Sequence, residues 1–194
     1  MTEIKRQLPN FLTLIRIPLA LLCGYFALTL KPFPLTISLL FFMAASFTDF
    51  LDGYLARRWN TVSKFGKITD PIADKILIIM VLAIFSYHSI IPLAFTILIA
   101  VREIALTVIR LILLFRDKIT LAARYSGKVK TFTQSIVLFI IYNLLIFQEP
   151  LHGIIGNTAI NVIIFSMVVW TVLITLYSGY EMVVANRRAI ERLI

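Results

Sequence analysis

Four aspartates, Asp49, Asp52, Asp70 and Asp74, stand beside long apolar stretches, where carboxylates are rare and costly. An ionised Asp at membrane depth costs about 2.5–3.5 kcal/mol on insertion scales. Four close together also repel one another, so a positive ligand is required. Asp49 and Asp52 are three residues apart, and Asp70 and Asp74 are four apart. On helices, each spacing puts both carboxylates on one face. The short basic connection between them makes the two helices antiparallel neighbours, so the pairs converge. An all-oxygen carboxylate set suits hard cations, Mg²⁺ or Mn²⁺, and can hold two of them. Two such ions form a clamp for displacement at phosphorus.

The residues in between fit this chemistry. Gly53 and Ala56 lie a turn beyond Asp49 and Asp52, and Gly66 a turn before Asp70, where small residues let a ligand approach the backbone. Arg57 is placed to hold a phosphate oxygen. Pro71 suits the first turn of a helix. Taken singly, Gly53 and Ala56 read as helix packing, and Arg57, Arg58, Lys64 and Lys67 as topology signals. Packing does not account for all of them in one arrangement.

The elements that must position these groups are membrane helices. The 194-residue chain is 60% apolar and 15% charged, where a soluble domain is nearer half and a quarter. Blocks such as Ile76–Tyr87 and Ile154–Tyr177 exceed what so small an interior can hide. Helices are expected over Leu8–Leu28, Leu35–Leu55, Pro71–Tyr87, Ile91–Leu114, Phe132–Phe147 and Ile155–Val184. The third and fifth blocks are short in apolar length and are expected to extend through polar residues facing the bundle interior. The expected fold is an all-α integral membrane protein of six transmembrane helices. Residues 1–194 form one catalytic domain, with a short N-terminal segment 1–7 and a basic tail 185–194. No A-x-A cleavage pattern follows the first apolar block, which is therefore expected to be a retained helix.

Lys5 and Arg6, then Arg57, Arg58, Lys64 and Lys67, then Arg116, Lys118, Arg124, Lys128 and Lys130, then Arg187, Arg188 and Arg192 mark alternate connections and both ends. The other connections hold only Lys31. This positive-inside pattern puts both termini and the aspartates on the cytoplasmic side. Pro32, Pro34, Pro92 and Pro150 punctuate the opposite turns. Tyr87, His88 and Trp59 sit at interfacial positions, and His88 and His152 are expected to have ordinary surface roles. The net charge of +9 then matches anionic headgroups and substrates, and nucleic acid is excluded as a partner. The one cysteine, Cys23, says nothing of compartment.

A second group of charges bears on a co-substrate. Arg102 and Glu103 interrupt the fourth block, with Arg110 two turns on, and Lys128 and Lys130 open the fifth. Arg102, Arg110, Lys128 and Lys130 together would make a cationic pocket beside the metals for a phosphorylated acceptor. The plainer reading is a Glu103 salt bridge for Arg102 and loop topology for the lysines.

The string Asp49-x2-Asp52-Gly53-x2-Ala56-Arg57-x8-Gly66-x3-Asp70-x3-Asp74 resembles the complete signature of the CDP-alcohol phosphatidyltransferase family. The resemblance implies the six-helix CDP-alcohol phosphotransferase fold, a homodimer, and a site open to the cytoplasm. It implies divalent-metal-dependent transfer of a phosphatidyl group from a CDP-linked lipid to an alcohol, with release of CMP. Asp49, Asp52 and Asp70 become metal ligands by it, and Asp74 both a ligand and the general base. Gly53, Ala56, Arg57 and Gly66 take the CDP-lipid with Asp52. Pro9-Asn10-x-Leu12-Thr13-x2-Arg16, Arg102-Glu103-Ile104 and Gly127-Lys128-x-Lys130-Thr131 resemble the bacterial phosphatidylglycerophosphate synthase branch. That likeness adds Asn10 and Thr13 to the CDP-lipid contacts and makes CDP-diacylglycerol and sn-glycerol 3-phosphate the substrates, in a bacterial inner membrane. The last two helices resemble the family only in being apolar beyond Gln134. Thr69 stands where the branch often has Leu. Other acceptors, phosphatidylglycerol or an inositol phosphate, remain open within the family. A divalent-cation transporter fits poorly, since no repeat is visible and the carboxylates cluster once. A binding role without catalysis would require a motif Asp to be replaced, and none is.

Overall fold

The computed structural model describes the backbone of residues 2–59, 66–116 and 125–190. It describes their side chains too, except at 2–10, 53, 56–57, 66–71, 74, 114, 116, 125–126, 152, 188 and 190. Every regular element in the described residues is helical. These are α1 (Thr2–Ala27), α2 (Pro32–Trp59), α3 (Gly66–Tyr87), α4 (Leu93–Arg116), α5 (Tyr125–Ile146), α6 (Gln148–Ala185) and the single turn α7 (Arg187–Ile190). A chain in lipid has no water to pair its backbone, and a helix pairs it internally.

Each of the six expected blocks holds a helix, and most of the helices run beyond their block at one end or both. α1 starts at Thr2, α2 reaches Trp59, α3 starts at Gly66 and α5 at Tyr125. The i→i−4 ladder continues into polar residues without penalty once the chain leaves the hydrocarbon, so apolar length underestimates helix length. Pro150 does not punctuate a turn. It lies in the first turn of α6, where its missing N–H has no partner to lose. Gly156, with φ 71° and ψ 154°, kinks α6 just after that turn. By length and composition, Pro32–Asp52, Gly127–Ile146 and Gly153–Ala185 can each cross a membrane. Phe11–Ala27 and Lys75–Tyr87 are shorter apolar stretches. α3 stops in a tight helix end: Ser89 takes φ 59°, and the Ser89 and Ile90 N–H groups return to the Ser86 and Phe85 carbonyls, both at 2.9 Å.

The chain sorts into two compact units, Met1–Ile84 with Tyr142–Ile154, and Phe85–Ile141 with Ile155–Ile194. In the first, α1 and α2 form an antiparallel pair joined by the short turn around Lys31. Thr13, Arg16, Ala20, Cys23 and Ala27 are the buried stripe of α1, spaced alternately three and four. Leu35, Ser38, Phe42, Ala45 and Asp52 are that of α2, with Asp49 completing the same rhythm. Such spacing is the signature of a seam between two packed helices. A polar pin crosses it, as Ser38 Oγ donates to the Cys23 carbonyl at 2.7 Å and meets Tyr142 Oη at 2.8 Å. A Cβ on Gly24 would fall 2.7 Å from Met80 Sδ, so glycine there lets α3 lie close to α1.

In the second unit the buried stripes are Thr96, Ile99 and Glu103 of α4, Lys130, Gln134, Val137 and Ile141 of α5, and Ile160, Ile164, Val168, Thr171, Thr175 and Ser178 of α6. Phe95 and Phe165 meet at 5.7 Å between ring centroids.

Candidate active site

The stripe of α1 carries a charge into the seam at Arg16, and that of α2 carries Asp49 and Asp52. The antiparallel register brings them level. Arg16 is fully buried and forks between the two carboxylates. Its Nη1 lies 2.9 Å from Asp49 Oδ1, and its Nη2 donates to Asp52 Oδ2 at 2.5 Å. Thr13, one turn earlier, donates to Asp52 Oδ2 at 3.2 Å. The Asp52 side chain is 7% exposed, whereas that of Asp49 is 41% exposed. One carboxylate is therefore anchored in the protein and the other faces outward. Arg16 Nε and Nη1 have no hydrogen-bond partner among the described residues, so Nη2 is hydrogen-bonded to Asp52 while Nη1 faces Asp49 as an ion pair.

This geometry fits a cation site in donor chemistry. Two carboxylates three residues apart meet at a single guanidinium, which shows that both can address one positive centre. Asp70 and Asp74 lie on the helical backbone of α3, four residues apart, but their side chains fall outside the described residues. Among the described residues no cluster of three metal-type ligands gathers. The side chains of Asn10, Gly53, Ala56, Arg57 and Gly66 also lie outside the described residues, with the first on α1, the next three on α2 and Gly66 opening α3.

In the second unit the expected cationic pocket takes a different form. Glu103 is buried and its Oε1 accepts from Arg102 Nη1 at 2.9 Å and from Lys130 Nζ. Arg102 Nη2 donates to Ser178 Oγ at 3.1 Å. Gln134, one turn after Lys130, donates to Thr175 at 3.2 Å. Arg102 and Lys130 are thus brought together, and by the very salt bridge that would have made Arg102 unremarkable. Lys128 and Arg110 are exposed, and Arg110 is near enough for its charge to act on Arg102. Two residues along a helix turn the side chain by about 200°, so Lys128 and Lys130 cannot share a face. Eight residues leave Arg110 about 80° off the direction of Arg102.

Sequence spacing did not single out Arg16, the sharing of Glu103, or Ser178. Each had a signal. Arg16 is a charge in an apolar run, a functional flag by itself. Ser178 continues the spacing of Thr171 and Thr175 on an otherwise apolar helix. Glu103→Gln removes the acidic group shared by two cations. Its expected cost is roughly 3–5 kcal/mol, as for breaking a buried pair. The check is the thermal midpoint in detergent, and an unchanged midpoint would show the cluster to be solvated.

A family model described as CDP-alcohol phosphatidyltransferase matches residues 6–177. A Rickettsia felis protein named CDP-diacylglycerol--glycerol-3-phosphate 3-phosphatidyltransferase is 35% identical over 182 residues, 92% of this chain and 96% of that one. One of the same name from Rickettsia bellii is 32% identical over 187 residues, 92% of this chain and 94% of the other. Another of that name from Escherichia coli K12 is 41% identical over 141 residues, 68% of this chain and 74% of its own length.

Proposed function

Since the chain belongs to the CDP-alcohol phosphatidyltransferase family, we propose that it transfers the phosphatidyl group of CDP-diacylglycerol to sn-glycerol 3-phosphate, giving phosphatidylglycerophosphate and CMP. The observation that carries the acceptor is the shared name of relatives aligned over most of this chain. The meeting of Arg102 and Lys130 on the buried Glu103 supports it, because a phosphorylated alcohol needs fixed cations.

In the reaction the acceptor hydroxyl oxygen bonds to the phosphorus of the phosphatidyl group. The bond from that phosphorus to CMP breaks, and the electron pair leaves with CMP. Asp74 takes the hydroxyl proton, by aim more than by basicity. Divalent cations held by Asp49, Asp52, Asp70 and Asp74 would neutralise the diphosphate and stabilise the departing CMP. Asn10, Thr13, Gly53, Ala56, Arg57 and Gly66 hold the CDP-lipid with Asp52. Arg102 and Lys130 take the acceptor's phosphate, with Arg110 and Lys128 drawing it in from solvent. Arg16 fixes the direction of Asp49 and Asp52, as outer groups do around metal ligands. The protein works as a homodimer in a bacterial cytoplasmic membrane, crossing it six times, with both termini and the site inside.

The test is CMP release by purified protein with CDP-diacylglycerol and Mg²⁺ or Mn²⁺, one acceptor at a time. Turnover with glycerol 3-phosphate alone is expected. Turnover only with phosphatidylglycerol or an inositol phosphate would overturn the acceptor. Full turnover in excess chelator would overturn the metal requirement.

A further inference from the structure

The Arg102 side chain is fixed at more points than an ion pair needs. Nη1 donates to Glu103, and Nη2 to Ser178 on α6. The Nε edge rests on Gly179, also on α6 and buried. A Cβ at Gly179 would lie 3.0 Å from Arg102 Nε, 3.4 Å from its Cγ and 3.6 Å from Leu106 Cδ1. A free arginine would step aside by a few tenths of an ångström. This one is held at both ends, so it cannot move without lengthening a hydrogen bond.

The surrounding helix gives no other reason for these residues. Around them α6 is apolar and largely exposed, with Leu176, Tyr177 and Tyr180 facing outward. Thr171 satisfies its own hydroxyl on the Met167 carbonyl, and Thr175 serves Gln134. Ser178 is spent on Arg102 alone among the described residues. Glu103 Oε1 is shared between Arg102 and Lys130. Each terminal nitrogen of Arg102 uses one N–H on these partners and has one more to give.

We propose that Ser178 and Gly179, with Glu103, are positioning residues that aim the Arg102 guanidinium at the phosphate of the acceptor. This rests on the reading above that Arg102 and Lys130 take that phosphate. The terminal helix then carries acceptor recognition without touching the acceptor. Ser178 sets the tilt of the guanidinium plane, and the missing side chain at 179 lets the plane lie flat. Planar forks reward such fixing, because their donors bind a tetrahedral anion well in few orientations.

The experiment is steady-state kinetics of the purified full-length chain, varying glycerol 3-phosphate and CDP-diacylglycerol separately, for Arg102→Ala, Ser178→Ala and Gly179→Ala. Inorganic phosphate serves as a competitor of the acceptor. Ser178→Ala and Gly179→Ala are expected to raise KM for glycerol 3-phosphate roughly tenfold, the scale of one hydrogen bond to a charged group. Inhibition by inorganic phosphate should weaken by a similar factor, with KM for CDP-diacylglycerol unchanged. An Arg102→Ala variant with wild-type acceptor KM would remove the acceptor reading itself, and with it the seat that Ser178 and Gly179 form for Arg102. If Arg102→Ala raises that KM while Ser178→Ala and Gly179→Ala leave it alone, the acceptor reading stands and the seat is wrong. Equal rises in both KM values would mark a merely structural role and also overturn the seat. Should Gly179→Ala fail to fold, Ser178→Ala, which adds no bulk, decides by the same criteria.

Discussion

Asp74→Asn is expected to lower turnover by roughly 10²–10⁴-fold, the range in which a positioned base contributes. The substitution keeps the shape and one oxygen of the side chain and removes its capacity to take a proton. Asp74 lies one turn along α3 from Asp70. Asn still offers an oxygen to a cation. The thermal midpoint and the binding of CDP-diacylglycerol should therefore stay near wild type while CMP release collapses. Turnover within threefold of wild type would remove Asp74 from the base role. A parallel loss of Mn²⁺ affinity, read by paramagnetic resonance, would shift its weight towards metal ligation.

Arg16→Ala has the second large effect, and its pattern separates charge from geometry. The guanidinium is buried against Asp52, which is itself buried, and reaches Asp49 at the more open side. Removing one member of a buried ion pair costs roughly 3–5 kcal/mol. Most of that belongs to Asp52, since the half-exposed Asp49 is screened by solvent. The thermal midpoint should fall most in chelator and recover in Mn²⁺, because a bound cation replaces the lost positive charge. Turnover should fall roughly 10–100-fold even with metal present, the usual cost of losing a group that orients metal ligands. Arg16→Lys restores a charge but not a fork, so it should regain stability without regaining turnover. Equal midpoints for wild type and Arg16→Ala in chelator would show that Arg16 does not carry the pair.

How far these groups were legible depended on the distance over which each interaction acts. Asp49 and Asp52 share a face because three residues along a helix return to it, and that is local information. The six helical blocks were legible because lipid leaves a backbone no alternative. Their ends were not, since the helical ladder continues past Leu55 to Trp59 and begins before Phe132 at Tyr125. Arg16 meets Asp52 across 36 positions, and Lys130 meets Glu103 across 27. No periodicity encodes such a pairing, although the alternating stripes of α1 and α2 do place Arg16 and both aspartates on facing seams. The Arg102 pair was read as an alternative to a phosphate site, yet a salt bridge that fixes a cation is one way to build such a site. Ser178 and Gly179 were hidden among apolar neighbours, where a hydroxyl and a missing side chain look like ordinary small residues.

The pin between α1 and α2 has a practical consequence. Cys23 is the chain's one cysteine, and it is fully buried with its sulfur against the Ser38 and Tyr142 hydroxyls. A thiol so enclosed is shielded from an aqueous alkylating reagent, so the natural chain is a silent background for labelling. Lys31 and Arg187 are both exposed, one between α1 and α2 and the other after α6. Placed there one at a time, a cysteine becomes the single reactive sulfur in the molecule. On the proposed topology, an impermeant maleimide added from outside should then mark Lys31→Cys and spare Arg187→Cys until the membrane is opened.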